Sequence, residues 1–424
     1  MERFVGIIGI LLILGLAVLM SNNRKKINLK TVLSGLALQL LFAIFILKTK
    51  VGIMIFDFIG KFIQKILDFS VAGGDFVFGI LTNSPEKLET LFGSASIFAL
   101  KLIPTIIFVL VLVNILYYYG IMQRVVAFFA KLMYKIMDVS GAEALSNVAS
   151  AFVGQVEAQI MIRPYLKGMT MSELLASMTG SMACIAGGVM ALYISMGIPA
   201  SYLLTASAMA APGALVISKI VFPETETPET KKEVKLEVER THVNLIDSIA
   251  HASSDGLKVS LNVIAMLIGL IALIHLIDWI LGGVGLFLAN VCHLNLSFIN
   301  IDLANLSLKE ILGAVFSLFA LVLGVPMQDV SSVGSLLGTK MVFNEFIAYE
   351  DLSKIKEILD PKSLIIASFA LCGFANLGSV AIQIGGISEL APSRRGDLAK
   401  LGFKALICGT MASYISAAIA GILM

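Results

Sequence analysis

Residues 152–164 read Phe-Val-Gly-Gln-Val-Glu-Ala-Gln-Ile-Met-Ile-Arg-Pro and place Gly154, Gln155, Glu157 and Gln159 in one short run. The chain around them is strongly apolar. Of its 424 residues 58% are hydrophobic and 14% charged, and the mean hydropathy is +0.93. Soluble domains carry about 25% charged residues, so this composition describes an all-α polytopic membrane protein. A glutamate at membrane depth is costly unless it faces protein, water or a ligand, which makes Glu157 a functional candidate. A second polar island follows late in the chain, Asn344-Glu345-Phe346 and then 374–379, Phe-Ala-Asn-Leu-Gly-Ser. Polar islands in both halves predict one substrate site assembled from the two.

Working outward, a spanning helix needs about 20 mostly apolar residues. That rule gives eight spans, near 4–20, 32–48, 97–119, 171–196, 199–222, 257–281, 364–384 and 401–423. The run at 4–20 lacks a small-residue cleavage site and is followed by Asn23-Arg24-Lys25-Lys26, so it reads as the first span rather than a signal peptide. Segments 51–69 and 125–137 mix lysines and aspartates into an apolar pattern, which suits helices lying in the interface. Segments 142–161 and 325–349 are apolar, rich in Gly and Ser and interrupted by carboxylates. They read as re-entrant hairpins, each followed by a span with polar residues. Interrupted segments at corresponding places in two halves point to an inverted-repeat core with its site at the repeat interface. Little residue identity links the halves, so the repeat is architectural. The division expected is 1–96 as N-terminal scaffold, 97–222 as first half, 223–245 as cytoplasmic linker and 246–424 as second half.

Basic residues give the topology. Arg24, Lys25, Lys26 and Lys30, then Arg124, Lys131 and Lys135, then Lys231, Lys232 and Lys235, then Arg394 and Arg395 all fall on one side of this count. The positive-inside rule puts that side in the cytoplasm and both termini outside. The first hairpin then enters from inside and the second from outside. Segment 223–244, alternating Glu with Lys, reads as a solvated linker.

Several functions are disfavoured. A net charge of +2 offers nothing to nucleic acid. The four cysteines are scattered, without CxxC or Cys/His metal spacing, and read as small buried hydrophobes. The four histidines lack HExxH spacing or a nucleophilic partner. His275 and Asp278, one turn apart, read as a structural pair, and Asp278 shares no context with Asp329 that would suggest an aspartyl protease. No enzyme is expected. Glu157 and Glu345, with Gln155, Asn376 and Ser379, instead suit a neutral polyhydroxylated ligand. A carboxylate accepts two hydrogen bonds from vicinal hydroxyls, and an amide reads donor and acceptor edges together. Asn376 and Ser379 could equally bond a neighbouring helix.

At these positions the sequence resembles the concentrative nucleoside transporter family, in a bacterial form. The resemblance rests on Gly154-Gln155-Val156-Glu157-Ala158, Val325-Pro326, Asn344-Glu345-Phe346, 369–376 and Pro392-Ser393-Arg394-Arg395-Gly396-Asp397, and it runs from first span to last. It implies a homotrimer in the bacterial inner membrane that moves nucleosides by an elevator-like step coupled to a cation. By motif, Gln155 and Glu157 would lie near the nucleobase with Val189 packed on it. Glu345, Asn376 and Ser379 would bind ribose hydroxyls beside Phe374. No cofactor beyond the coupling ion is implied. Departures from the family pattern are Val156 for Thr, Gln159 for Pro and Asp329 for Glu. The family's sodium ligands map to Ser150, Val153, Cys184 and the Ile185 carbonyl. A thiol is a poor ligand for a hard cation, so the resemblance favours H+ over Na+ here, carried on Glu157, Asp329 or Glu345. The rivals are a carrier of another polar solute, a pore, or a membrane-embedded hydrolase.

Overall fold

Two broken helices and two hairpins that meet them organise the protein. The computed structural model describes every residue except 1, 84–85, 87–88, 90–96, 232–242, 291–302 and 304–305. Lys232, Lys235, His242, Cys292 and His293 therefore lie outside the described residues. The described residues form helices and their connections, with no strand among them.

The N-terminal part holds α1 (Glu2–Leu19), α2 (Leu29–Lys48) and α3 (Lys50–Phe78). The first half then runs through α4 (Phe98–Tyr118), α5 (Ile121–Met137), α6 (Gly141–Ser150), the one-turn α7 (Glu157–Ile160), α8 (Met171–Ala183), α9 (Gly187–Ser195) and α10 (Ala200–Val221). The second half repeats that order as α11 (Leu245–Asn290), α12 (Leu308–Val322), α13 (Val330–Val342), α14 (Glu345–Ile355), α15 (Pro361–Leu371), α16 (Leu377–Leu390) and α17 (Arg395–Leu423). Each half thus has a long helix, a short amphipathic one, a hairpin, a broken helix and a closing span.

The hairpins enter from opposite ends. At the first mouth, Lys219 Nζ near the end of α10 lies 2.6 Å from Glu143 Oε2, and Gly141 N donates to the Thr230 carbonyl. At the second, Lys356 Nζ donates to the carbonyls of Met196 (3.4 Å) and Gly197 (3.1 Å), just before α10 begins. The 22 residues of α10 separate the two mouths by about 33 Å. Asn22 N donates to the Val221 carbonyl, and Arg394 reaches the carbonyls of Leu166, Lys167 and Met169. Basic clusters from three loops therefore share the first mouth's end, which the positive-inside rule assigns to the cytoplasm.

Several boundaries differ from the sequence reading. The spans expected at 171–196 and 364–384 are each broken, at 184–186 and 372–376. In the second, Gly373 adopts φ +130, a conformation open to glycine alone. The span expected at 257–281 is part of α11, whose 46 residues extend about 69 Å, far more than a bilayer core. The interfacial segment at 51–69 is a 29-residue helix. Its glycines Gly52, Gly60 and Gly74 meet Phe45, Ala200 and Pro104, so it lies across the outer ends of α2, α10 and α4. The second hairpin begins at 330 and is preceded by α12, which the sequence reading missed; Gly334 and Gly338 let α13 cross it closely at Ser317 and Leu312. In the first hairpin only α6 is regular, the returning arm being α7 and a string of turns to 168.

Candidate functional site

Local sequence fixes the frame. Ser140 with Glu143 and Thr170 with Glu173 form capping boxes that start α6 and α8. Asn344 caps α14 through Ile347 N (2.9 Å), and Asn376 caps α16 through Ser379 N (2.8 Å). Both polar islands of the second half are thus helix N-termini whose donors point inward. The broken ends are interlocked: Phe374 N donates to the Cys184 carbonyl at 3.3 Å, and Gly187 N to the Phe152 carbonyl at 3.1 Å. The tip of the first hairpin and both breaks consequently meet at one place.

Around that meeting point stand most of the residues singled out in the sequence. Gln155, half-buried, donates from Nε2 to Ser379 Oγ at 3.1 Å. Its Oε1 is enclosed and has no partner among the described residues, leaving an acceptor for a ligand. Glu345 is 6% exposed. Its Oε1 accepts from Tyr193 Oη at 3.2 Å and its Oε2 from Asn376 Nδ2 at 3.1 Å. Tyr193, which sequence reasoning missed, stacks on Tyr349 with ring centroids 4.2 Å apart. Val189 is on the same helix as Tyr193, one turn earlier, and half-buried; Phe374 is buried. The i, i+4 spacing of Val189 and Tyr193 is the signal that could have found the tyrosine. Glu157 is exposed and folds back over Gly154, where a Cβ would collide with its carboxylate.

Other residues fall elsewhere. Gln159, grouped with the site by sequence, is fully buried and turns away from it. Its Nε2 donates to Ser146 Oγ (3.2 Å) and Ser181 Oγ (2.9 Å), and its Oε1 accepts from Ser177 Oγ (2.6 Å). Ser150 Oγ joins the same network, donating to the Ser146 carbonyl at 2.8 Å and lying 3.0 Å from Ser181 Oγ. Val153, Cys184 and Ile185 are buried. Of the positions that the resemblance assigns to a cation, Ser150 is thus tied to Ser181, a hydroxyl that the Gln159 amide also contacts. Asp329, named above as a proton carrier, is at the mouth of the second hairpin, where its Oδ2 accepts from Asp360 N at 2.9 Å. Asp278 caps the start of α12 through Leu308 N at 2.7 Å.

This arrangement can bind a polar ligand from two sides without any covalent step. Comparison with known proteins agrees. Residues 202–421 match the family model described as the Na+ dependent nucleoside transporter C-terminus, 8–81 the corresponding N-terminus, and 99–200 a gate domain described as nucleoside recognition. An uncharacterized transporter of Haemophilus influenzae is 40% identical over 422 residues, covering 98% of this chain and 96% of that one. Solute carrier family 28 member 3 of Homo sapiens is 36% identical over 439 residues, covering all of this chain and 60% of the human protein. The structure of CNTnw in an inward-facing substrate-bound state superposes with a TM-score of 0.91 at 38% identity, covering 100% of this chain and 98% of that one.

Proposed function

We infer that this chain, which belongs to the Na+ dependent nucleoside transporter family, is a cation-coupled symporter that imports nucleosides across a bacterial inner membrane. It is a multi-pass membrane transporter and not an enzyme. The observation that supports the substrate assignment best is the pairing of Gln155 with Ser379 beside the Tyr193–Glu345–Asn376 group. Gln155 and Glu157 read the base edge, with Val189 against its face. Glu345, Asn376 and Ser379 take the ribose hydroxyls beside Phe374, a carboxylate and an amide serving a vicinal diol. Movement is elevator-like, in a homotrimer, as the family resemblance implies.

The coupling ion is H+ on this reading. Ser150, Val153, Cys184 and Ile185 offer one hydroxyl, one thiol and backbone carbonyls, a weak set for a hard cation. Gln159 further directs its amide at Ser146 and Ser181, and Ser181 lies 3.0 Å from Ser150, so the one hydroxyl of the set is already engaged in a side-chain network. Uptake of labelled uridine and inosine into proteoliposomes, under a pH gradient or a Na+ gradient imposed separately, tests both parts. Accumulation driven by the pH gradient alone is expected. Accumulation that requires Na+ would overturn the coupling ion and keep the transport. Absence of gradient-driven uptake of either nucleoside would overturn the substrate assignment, and other polar solutes would then be screened.

A further inference from the structure

Tyr193, in the second turn of α9, is 0% exposed and among the largest fully buried side chains. Its ring lies against two rings of α14. Tyr349 stacks on it with centroids 4.2 Å apart at 28°, and Phe346 is tilted beside it with centroids 6.1 Å apart. Tyr349 is itself fixed, because its Oη donates to the Ser368 carbonyl at 2.7 Å. Ser368 is in the last turn of α15, where carbonyls lack intrahelical partners, so this bond satisfies one of them. Packing therefore holds the Tyr193 ring, and a buried tyrosine hydroxyl needs a polar partner within its reach. That partner is Glu345 Oε1, 3.2 Å away across 152 residues of sequence. On the other carboxylate oxygen, Oε2, Asn376 Nδ2 donates at 3.1 Å, and Asn376 is locked in turn as the cap of α16. Glu345 thus has one side-chain donor on each oxygen, one from each half of the chain. Its carboxylate cannot turn about its last bond without breaking one of them. A carboxylate has about four acceptor sites, more than these two donors fill.

We propose that Tyr193 is a positioning residue for substrate recognition: it holds Glu345 Oε1 so that the carboxylate meets ligand hydroxyls from a fixed direction, and so sets the preference for sugars that carry them. The identity of that ligand rests on the nucleoside-transport reading. Tyr193 acts through Glu345 and not on the ligand, since its side chain is fully buried. An acceptor fixed before binding loses less freedom when the ligand arrives, which is where the gain in affinity comes from. The same bond makes the grip of Glu345 depend on α9 staying seated against the first turns of α14.

Two measurements on the purified full-length protein test this. The first is affinity for uridine, 2′-deoxyuridine and 3′-deoxyuridine by calorimetry, wild type against Tyr193→Phe, which keeps the ring and removes only the hydroxyl. Uridine binding should weaken by roughly three- to tenfold. For at least one of the deoxynucleosides the loss should shrink to less than about twofold, because the hydroxyl that Glu345 would have met is already gone. Equal weakening for all three ligands would make Tyr193 a packing residue and overturn the proposal, as would unchanged uridine affinity. The second is the melting temperature of Tyr193→Phe, Glu345→Ala and the double variant. Tyr193→Phe should cost clearly less in the Glu345→Ala background, where no carboxylate is left short of a donor. Equal losses in both backgrounds would overturn the hold on Glu345. This second readout needs no nucleoside, so a wild type that binds none would count against the transport reading while the cycle still decides the role of Tyr193.

Discussion

Gln155 Nε2 and Ser379 Oγ are 3.1 Å apart, joining the tip of the first hairpin to the first turn of α16 across 224 residues of sequence. A neutral hydrogen bond contributes about 0.5–1.5 kcal/mol net. Gln155→Leu and Ser379→Ala should each weaken nucleoside binding by roughly three- to tenfold, with melting temperature little changed. Unchanged affinity in both variants would remove this pair from the site.

Asn376 does two things at once, capping α16 through Ser379 N and donating to Glu345. Asn376→Asp keeps the cap acceptor but sets a carboxylate against a carboxylate. Binding should fall on the order of tenfold or more at neutral pH. Acidification should recover part of it, because two close carboxylates share one proton more readily than they ionise together. Affinity measured against pH checks the sign: recovery at high pH would contradict the geometry.

Gln159→Leu removes the group that satisfies Ser146, Ser177 and Ser181. Stability should drop by about 2–3 kcal/mol, read as denaturant or thermal unfolding in detergent. A drop in uptake with no loss of stability would instead place Gln159 in the transport cycle.

Both polar islands were legible in the sequence because carboxylates and amides stand out against apolar helices, and the fold class followed from span length alone. What could not be read was direction. Gln159 is two residues from Glu157, yet its partners come from α6 and α8, and spacing within 152–164 does not reveal which side faces the ligand. The breaks at 184–186 and 372–376 escaped because hydropathy passes smoothly through cysteine, isoleucine and alanine. They are held by Phe374 N on the Cys184 carbonyl, across the halves, and by Gly187 N on the Phe152 carbonyl, within the first half. The helix α12 was missed because its 15 residues are too few to count as a span.

Arg394, from the Pro392–Arg394 turn, holds the carbonyls of Leu166 (3.2 Å), Lys167 (3.0 Å) and Met169 (2.6 Å) while pairing with Asp397. It staples the irregular returning arm of the first hairpin to the start of α17. Arg394→Ala should accelerate amide hydrogen exchange in 163–169 and cost about 2–4 kcal/mol. Protection unchanged in that segment would show that the turns hold themselves.

Asp329→Asn tests whether Asp329 carries the coupling proton. Its carboxylate serves the Asp360 amide at the hairpin mouth, so the variant should keep gradient-driven uptake and lose about 1 kcal/mol of stability. Loss of coupling with binding intact would make Asp329 the proton carrier.

The two broken helices mesh at their gaps: Phe374 N bonds the Cys184 carbonyl, and a Cβ at Gly373 would sit 2.6 Å from the Ala183 oxygen. A dovetail of this kind resists parting along its own seam. A ligand bound as proposed above would sit in a joint, not in a cleft between jaws. On the elevator-like reading, the whole joint would travel as a single piece of cargo, and the sliding surface would lie somewhere else.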